Sequence, residues 1–148
     1  MSINNTKPLY LNKSELIPQS LGEKFRRFVD ICGHEETKLA HIVLSKQMAV
    51  RDEEAMKLWA PYSAEIQSLS KQVSDIFKTN LSWPNPYFIP DDTVELILLS
   101  PLGDLEIEES VIEIEGLIGK KIPDKMWRDY SNKKYVELIQ FLFCEKNV

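Results

Sequence analysis

The chain has 148 residues, 43% of them hydrophobic and 28% charged, which fits about one globular domain able to bury a core without metal or disulfide staples. Its longest apolar runs are a few residues, such as Leu96-Ile97-Leu98-Leu99, so no transmembrane helix and no membrane partner are expected. The net charge is −5: residues 1–80 carry eleven Lys/Arg and ten Asp/Glu, residues 81–119 carry nine carboxylates and no Lys or Arg, and residues 120–148 carry seven basic and four acidic groups. The acidic stretch repels a phosphate backbone, which argues against nucleic acid as a ligand, and attracts a protein partner with a basic patch.

The opening MSINNTKPLYLNK has no apolar core of a signal peptide. Cys32 and Cys144, the only cysteines, are expected to be free and reduced, and the expected location is cytoplasmic. Residues 1–19 read as a polar lead with Pro8 and Pro18. Ser20-Leu-Gly-Glu23 has the spacing of a capping box, and Phe25, Phe28, Val29 and Cys32 follow at helical spacing up to Gly33. A second helix is predicted from His34 or Glu35, with Leu39, Ile42, Val43 and Val50 as its apolar face. Asp52 to Trp59 continues or restarts it, and Pro61 breaks it. Ser63 can cap a third helix with a stripe of Ile66, Leu69, Val73 and Phe77. Asn80-Leu-Ser-Trp-Pro-Asn-Pro is a breaker-rich loop, and Pro90-Asp91-Asp92-Thr93 is a turn or cap.

Residues 94–119 admit two readings. Ile107, Val111, Ile114 and Ile118 share one helical face, whereas Leu105, Ile107, Ile112 and Ile114 partly alternate as a strand does. Gly116 and Gly119 each weaken a helix by about 1 kcal/mol relative to Ala. A hairpin pairing Val94–Leu99 with Leu105–Glu109 is therefore the alternative to the helix. Beyond it, Pro123 fits the first turn of a short helix, and Tyr135, Leu138, Ile139 and Leu142 mark a closing amphipathic helix.

Chemistry-bearing residues are sparse. His34 and His41 lie seven apart, about 10 Å along a helix, too far to share an ion without other ligands, and read as a solvated face. Cys32 and Cys144 read as buried structural thiols, and Trp59, Trp83 and Trp127 as packing anchors. No nucleophile elbow, phosphate-binding loop or dinucleotide fingerprint occurs, so no catalytic residue, metal or cofactor is assigned and the chain is read as a non-enzyme.

From about Ser63 onward the pattern resembles an acyl carrier protein: a first helix (Ile66–Phe77), a long loop (79–103), an acidic second helix (105–118), an Ile122-Pro-Asp124 turn and a last helix (Tyr135–Leu142). The resemblance implies a four-helix bundle over residues 61–148, preceded by helices in residues 1–60 that pack on it or on a second copy. The expected fold is thus mostly α, with an α+β protein carrying a small antiparallel sheet from residues 94–119 as the alternative. Counting back from Ile122, the serine that bears phosphopantetheine in that family falls on Asp104, which lacks the hydroxyl nucleophile. The resemblance therefore implies a carrier-like domain without a prosthetic group, docking a basic partner through Asp104, Glu106, Glu109 and Glu113. The alternative function, tied to the α+β fold, is an inhibitor or immunity-type protein binding a basic toxin or nuclease.

Overall fold

The computed structural model describes residues 7–11, 34–99 and 104–148. The capping box at Ser20 and the helix through Phe25, Phe28, Val29 and Cys32 lie outside these residues. Among the described residues there are six α-helices, one 3₁₀ helix and no strand, so the protein is mostly α. The helices are α1 (His34–Ala49), the 3₁₀ helix (Glu53–Trp59), α2 (Ala64–Asn80), α3 (Val94–Ile97), α4 (Asp104–Ile118), α5 (Asp124–Tyr130) and α6 (Tyr135–Lys146). None is long and apolar enough to cross a membrane.

Helix α1 buries Ala40, His41, Leu44 and Met48, while Leu39, Ile42 and Val50 are exposed. The inward face is thus turned by about one residue from the one expected. Residues 40, 44 and 48 are spaced four apart, so they stack on one side of the helix. Its members include a small Ala and a His, which a search for large aliphatics passes over. The chain restarts at Asp52, whose Oδ1 accepts the Glu54 N–H at 2.9 Å, and the 3₁₀ helix buries Ala55 and Trp59.

Ser63 caps α2 as its position predicts, its Oγ accepting the Ile66 N–H at 3.2 Å, and Ile66, Leu69, Val73 and Phe77 are all buried. The helix ends in a Schellman closure: the Trp83 N–H reaches Lys78 O at 3.1 Å, and Ser82 takes the left-handed conformation at φ 60°. Two tryptophans then fasten the loop. Trp59 Nε1 donates to Phe88 O at 2.9 Å, and Trp83 Nε1 donates to Ile97 O at 3.1 Å. Trp127 is only half-buried against the core.

The antiparallel-sheet alternative does not form, because Val94–Ile97 and Asp104–Ile118 are helical. Ile114 and Ile118 are buried, with Ile107 partly buried beside the core, so tertiary burial overrides the strand preference of the β-branched residues. Gly119, at φ 77°, closes α4 in the conformation that glycine adopts freely, while the Lys120 N–H reaches Glu115 O at 3.2 Å. Pro123 stands one position ahead of α5 as its N-cap. In α6 Tyr135, Leu138, Ile139 and Leu142 are buried as expected. Cys144 is exposed, not buried; it sits two residues, about 200°, around the helix from Leu142. Helices α2, α4 and α6 pack on one another, and Leu9, Ala40, Leu44, Met48 and Trp59 join the same core.

A buried ion pair ties the two halves of the sequence together. Arg51 Nη1 and Nη2 donate to Asp92 Oδ2 and Oδ1 at 2.7 and 2.8 Å, and both side chains are essentially sealed, at 1% and 0% exposure. Asp92 also accepts the N–H groups of Leu9 (2.9 Å) and Ile89 (2.8 Å). Arg51 donates further to the carbonyls of Lys7 and Tyr87 at 2.8 and 3.0 Å. Residues 7–11 are thereby strapped to the body, with Gln47 and the Tyr10 backbone exchanging two more hydrogen bonds at 3.0 and 2.8 Å. One of the nine carboxylates of the acidic segment is thus a core group.

His41 also departs from the sequence expectation. It is 6% exposed, not on a solvated face; its ring lies 4.6 Å from that of Trp83. Nε2 meets Leu81 O at 2.9 Å, and since a carbonyl only accepts, Nε2 carries the proton. Nδ1 accordingly accepts from Ser45 Oγ at 3.2 Å. Burial pulls its pKa below the usual 6.5, partly opposed by the Leu81 hydrogen bond, which favours the charged ring. The unfolded chain therefore binds this proton more readily, and stability falls as pH drops through 6.5 toward the lower folded value. His41→Gln is expected to flatten that part of the curve. Thermal melts of both proteins at pH 7.5 and 5.5 check it: the wild type should lose more of its melting temperature.

Candidate functional site

Helix α4 carries most of the acidic segment, and its inward side fixes what its outward side presents. At 100° per residue, Ile107, Ile114 and Ile118 face the core. Leu105, Glu108, Glu109, Ile112 and Gly116 fall on the opposite side. Leu105 is 63% exposed and Ile112 64%, about 10 Å apart along the axis from the rise per residue. Glu108, Glu109 and Glu113 flank them and are exposed. The last turn of the helix contains no basic residue, so nothing on α4 neutralises the carboxylates. A Cβ added at Gly116 would meet nothing within 4 Å, so the stripe is open along its length.

The helix is fastened from behind. Ser110 is fully buried; its Oγ donates to Glu106 O at 3.0 Å and accepts from Asn80 Nδ2 of α2 at 3.2 Å. The same Asn80 amide donates to the Glu113 carboxylate. At the far end Glu115 Oε2 accepts the Ile122 N–H at 2.6 Å, which anchors the turn after Gly119.

The four residues singled out for docking thus have different positions. Asp104 opens α4. Glu109 lies on the open stripe. Glu113 is exposed at its edge but engaged by Asn80. Glu106 is half-buried beside the Ser110 contact. The structure brings Glu109 and Glu113 together with Glu108, Leu105 and Ile112, which sequence reasoning did not select. A helical projection would have found the last two, because they lie opposite the Ile107–Ile114–Ile118 stripe; the alternation they share with Ile107 and Ile114 reads instead as a strand.

The arrangement offers a convex surface of carboxylates around two aliphatic side chains. Among the described residues no group of three or more His, Cys, Asp or Glu is placed to hold a metal ion. Comparisons with protein-family models, curated proteins and solved structures give no match.

Proposed function

We propose that the protein is a non-catalytic interaction module, an acyl-carrier-like helical domain without a prosthetic group, which docks a basic partner protein through the outward side of α4. The observation that carries this reading is the pair Leu105 and Ile112. Carboxylates alone suffice to keep a helix face solvated, whereas here Leu105 and Ile112, 63% and 64% exposed, share the stripe with them. Carboxylates around an apolar centre suit a partner that is basic at its rim and apolar within, with charge speeding encounter and apolar burial holding the complex. The carrier-like part is supported by the limits of α2, α4 and α6, which fall near those the resemblance requires. Asp104 opens α4 where the resemblance needs a hydroxyl for phosphopantetheine, and this departure supports only the absence of the prosthetic group.

Two measurements test the reading. After incubation with a broad-specificity phosphopantetheinyl transferase and coenzyme A, the intact mass is expected to stay unchanged; a stoichiometric gain sinks the claim that the domain carries nothing. A photocrosslinking residue at position 112, introduced in the native host, is expected to give a defined protein adduct. The same residue at Gln72, exposed on α2, should give none. Loss of the adduct on Glu108→Lys/Glu109→Lys supports docking through this face, and no adduct at position 112 rejects it.

A further inference from the structure

We infer that the partner seated on α4 is a second copy of this chain. The two copies pair about a two-fold axis, each acidic helix lying against the basic stretch 121–128 of the other. The inference rests on the docking reading above and names the occupant.

The chain carries its own complement to the acidic stripe. Lys121, Lys125 and Arg128 are exposed, four and three residues apart, the last two on one side of α5. Among the described residues none of the three takes part in a salt bridge. The neighbouring cations are used within the chain: Lys120 lies 3.9 Å from Glu145, Lys134 lies 3.3 Å from Asp91, and Lys133 sits 4.6 Å from the centre of the Tyr130 ring. Three free cations therefore stand against Glu108, Glu109 and Glu113, and no salt bridge joins the two patches inside one copy. Met126 and Trp127 lie on the other side of α5, packed against the core, so the charges carry the contact.

Both patches lie on one chain, so a two-fold rotation can engage them reciprocally. Such self-complementary contact is the commonest way for identical chains to associate without forming an open fibre. The net charge of −5 works against association, so pairing depends on these local contacts and weakens as salt screens them.

Sedimentation equilibrium of the full chain from about 1 µM to 1 mM is expected to show a monomer–dimer equilibrium, with at least a tenfold weaker constant in about 0.5 M salt. Glu108→Lys/Glu109→Lys and Lys125→Glu/Arg128→Glu should each be folded by circular dichroism and monomeric alone. Mixed together they should form a one-to-one pair, because each altered patch then meets its opposite. A wild type that stays monomeric to 1 mM overturns the proposal. So do a dimer indifferent to both reversals, growth into larger species, or a mixture that stays monomeric. The adduct at position 112 separates the two readings. An adduct at twice the 17.2 kDa chain mass supports pairing. An adduct with a different chain, beside a monomeric wild type, keeps the docking face and removes the second copy; absence of any adduct removes the docking face itself.

Discussion

Asp92→Ala is expected to destabilise the protein by about 3–5 kcal/mol, the cost of leaving a buried charge without its partner. The carboxylate holds four donors, two from Arg51 and one each from the backbones of Leu9 and Ile89. Its removal strands the Arg51 guanidinium at a site where 1% of the side chain is exposed and leaves two peptide N–H groups short of an acceptor. Urea unfolding of the variant measures the loss as a lowered midpoint. The double change Arg51→Met/Asp92→Leu should recover much of it, because two apolar groups of similar volume remove the desolvation penalty together with the attraction. A double variant as unstable as Asp92→Ala would show that the backbone contacts, not the stranded charge, set the cost.

Tyr135→Ala is expected to cost a similar amount, about 3–5 kcal/mol, by opening a cavity at the centre of the core. The ring is fully buried and lies 5.7, 5.9 and 6.3 Å from the rings of Trp59, Phe88 and Phe77. It thus couples the 3₁₀ helix, the loop after α2 and α2 itself. Tyr135→Phe separates the hydroxyl from the ring. The hydroxyl shares a 2.7 Å hydrogen bond with Ser74, so its loss leaves the Ser74 oxygen unpaired and costs about 1–3 kcal/mol. Burial pushes the phenol far above its usual value of 10.0. The unfolded tyrosine therefore ionises first, and its contribution to stability, complete below pH 10, declines as the pH rises beyond it. Tyr135→Phe should lose less stability than wild type between pH 9 and 11, read by denaturant titration at each pH.

Both effects centre on residues whose importance was unevenly legible. Tyr135 belongs to a stripe of large apolar side chains at three- and four-residue spacing, as do Ile66, Leu69, Val73 and Phe77, and such stripes fix helix faces directly. The core side of α1 is built from Ala40, His41, Leu44 and Met48, where size and polarity give a weak periodic signal. Asp92 stands among eight other carboxylates of its segment. Nothing local distinguishes it, since its partner Arg51 is 41 residues away and only the fold brings them together. At α4 the acidity could be counted, but the exposure of Leu105 and Ile112 became visible only once the helix had displaced the strand reading and its core side was known.

The strap of residues 7–11 has a consequence for the order in which the chain matures. Its anchor, the Leu9–Asp92 hydrogen bond, spans 83 residues, and long-range closures of this kind form late, after local helices have lowered the entropy of joining distant segments. On the ribosome, Leu9 and Arg51 emerge well before Asp92, so Arg51 keeps its hydration until its counter-ion arrives. Asp92 also supplies the carbonyl that receives the Tyr135 N–H at 2.7 Å, so the strap and the last helix grip the same turn. Residues 7–11, made before Asp92, are thus fastened only after it. A nascent chain stalled before residue 92 should leave residues 7–11 open to protease, and a completed chain should protect them.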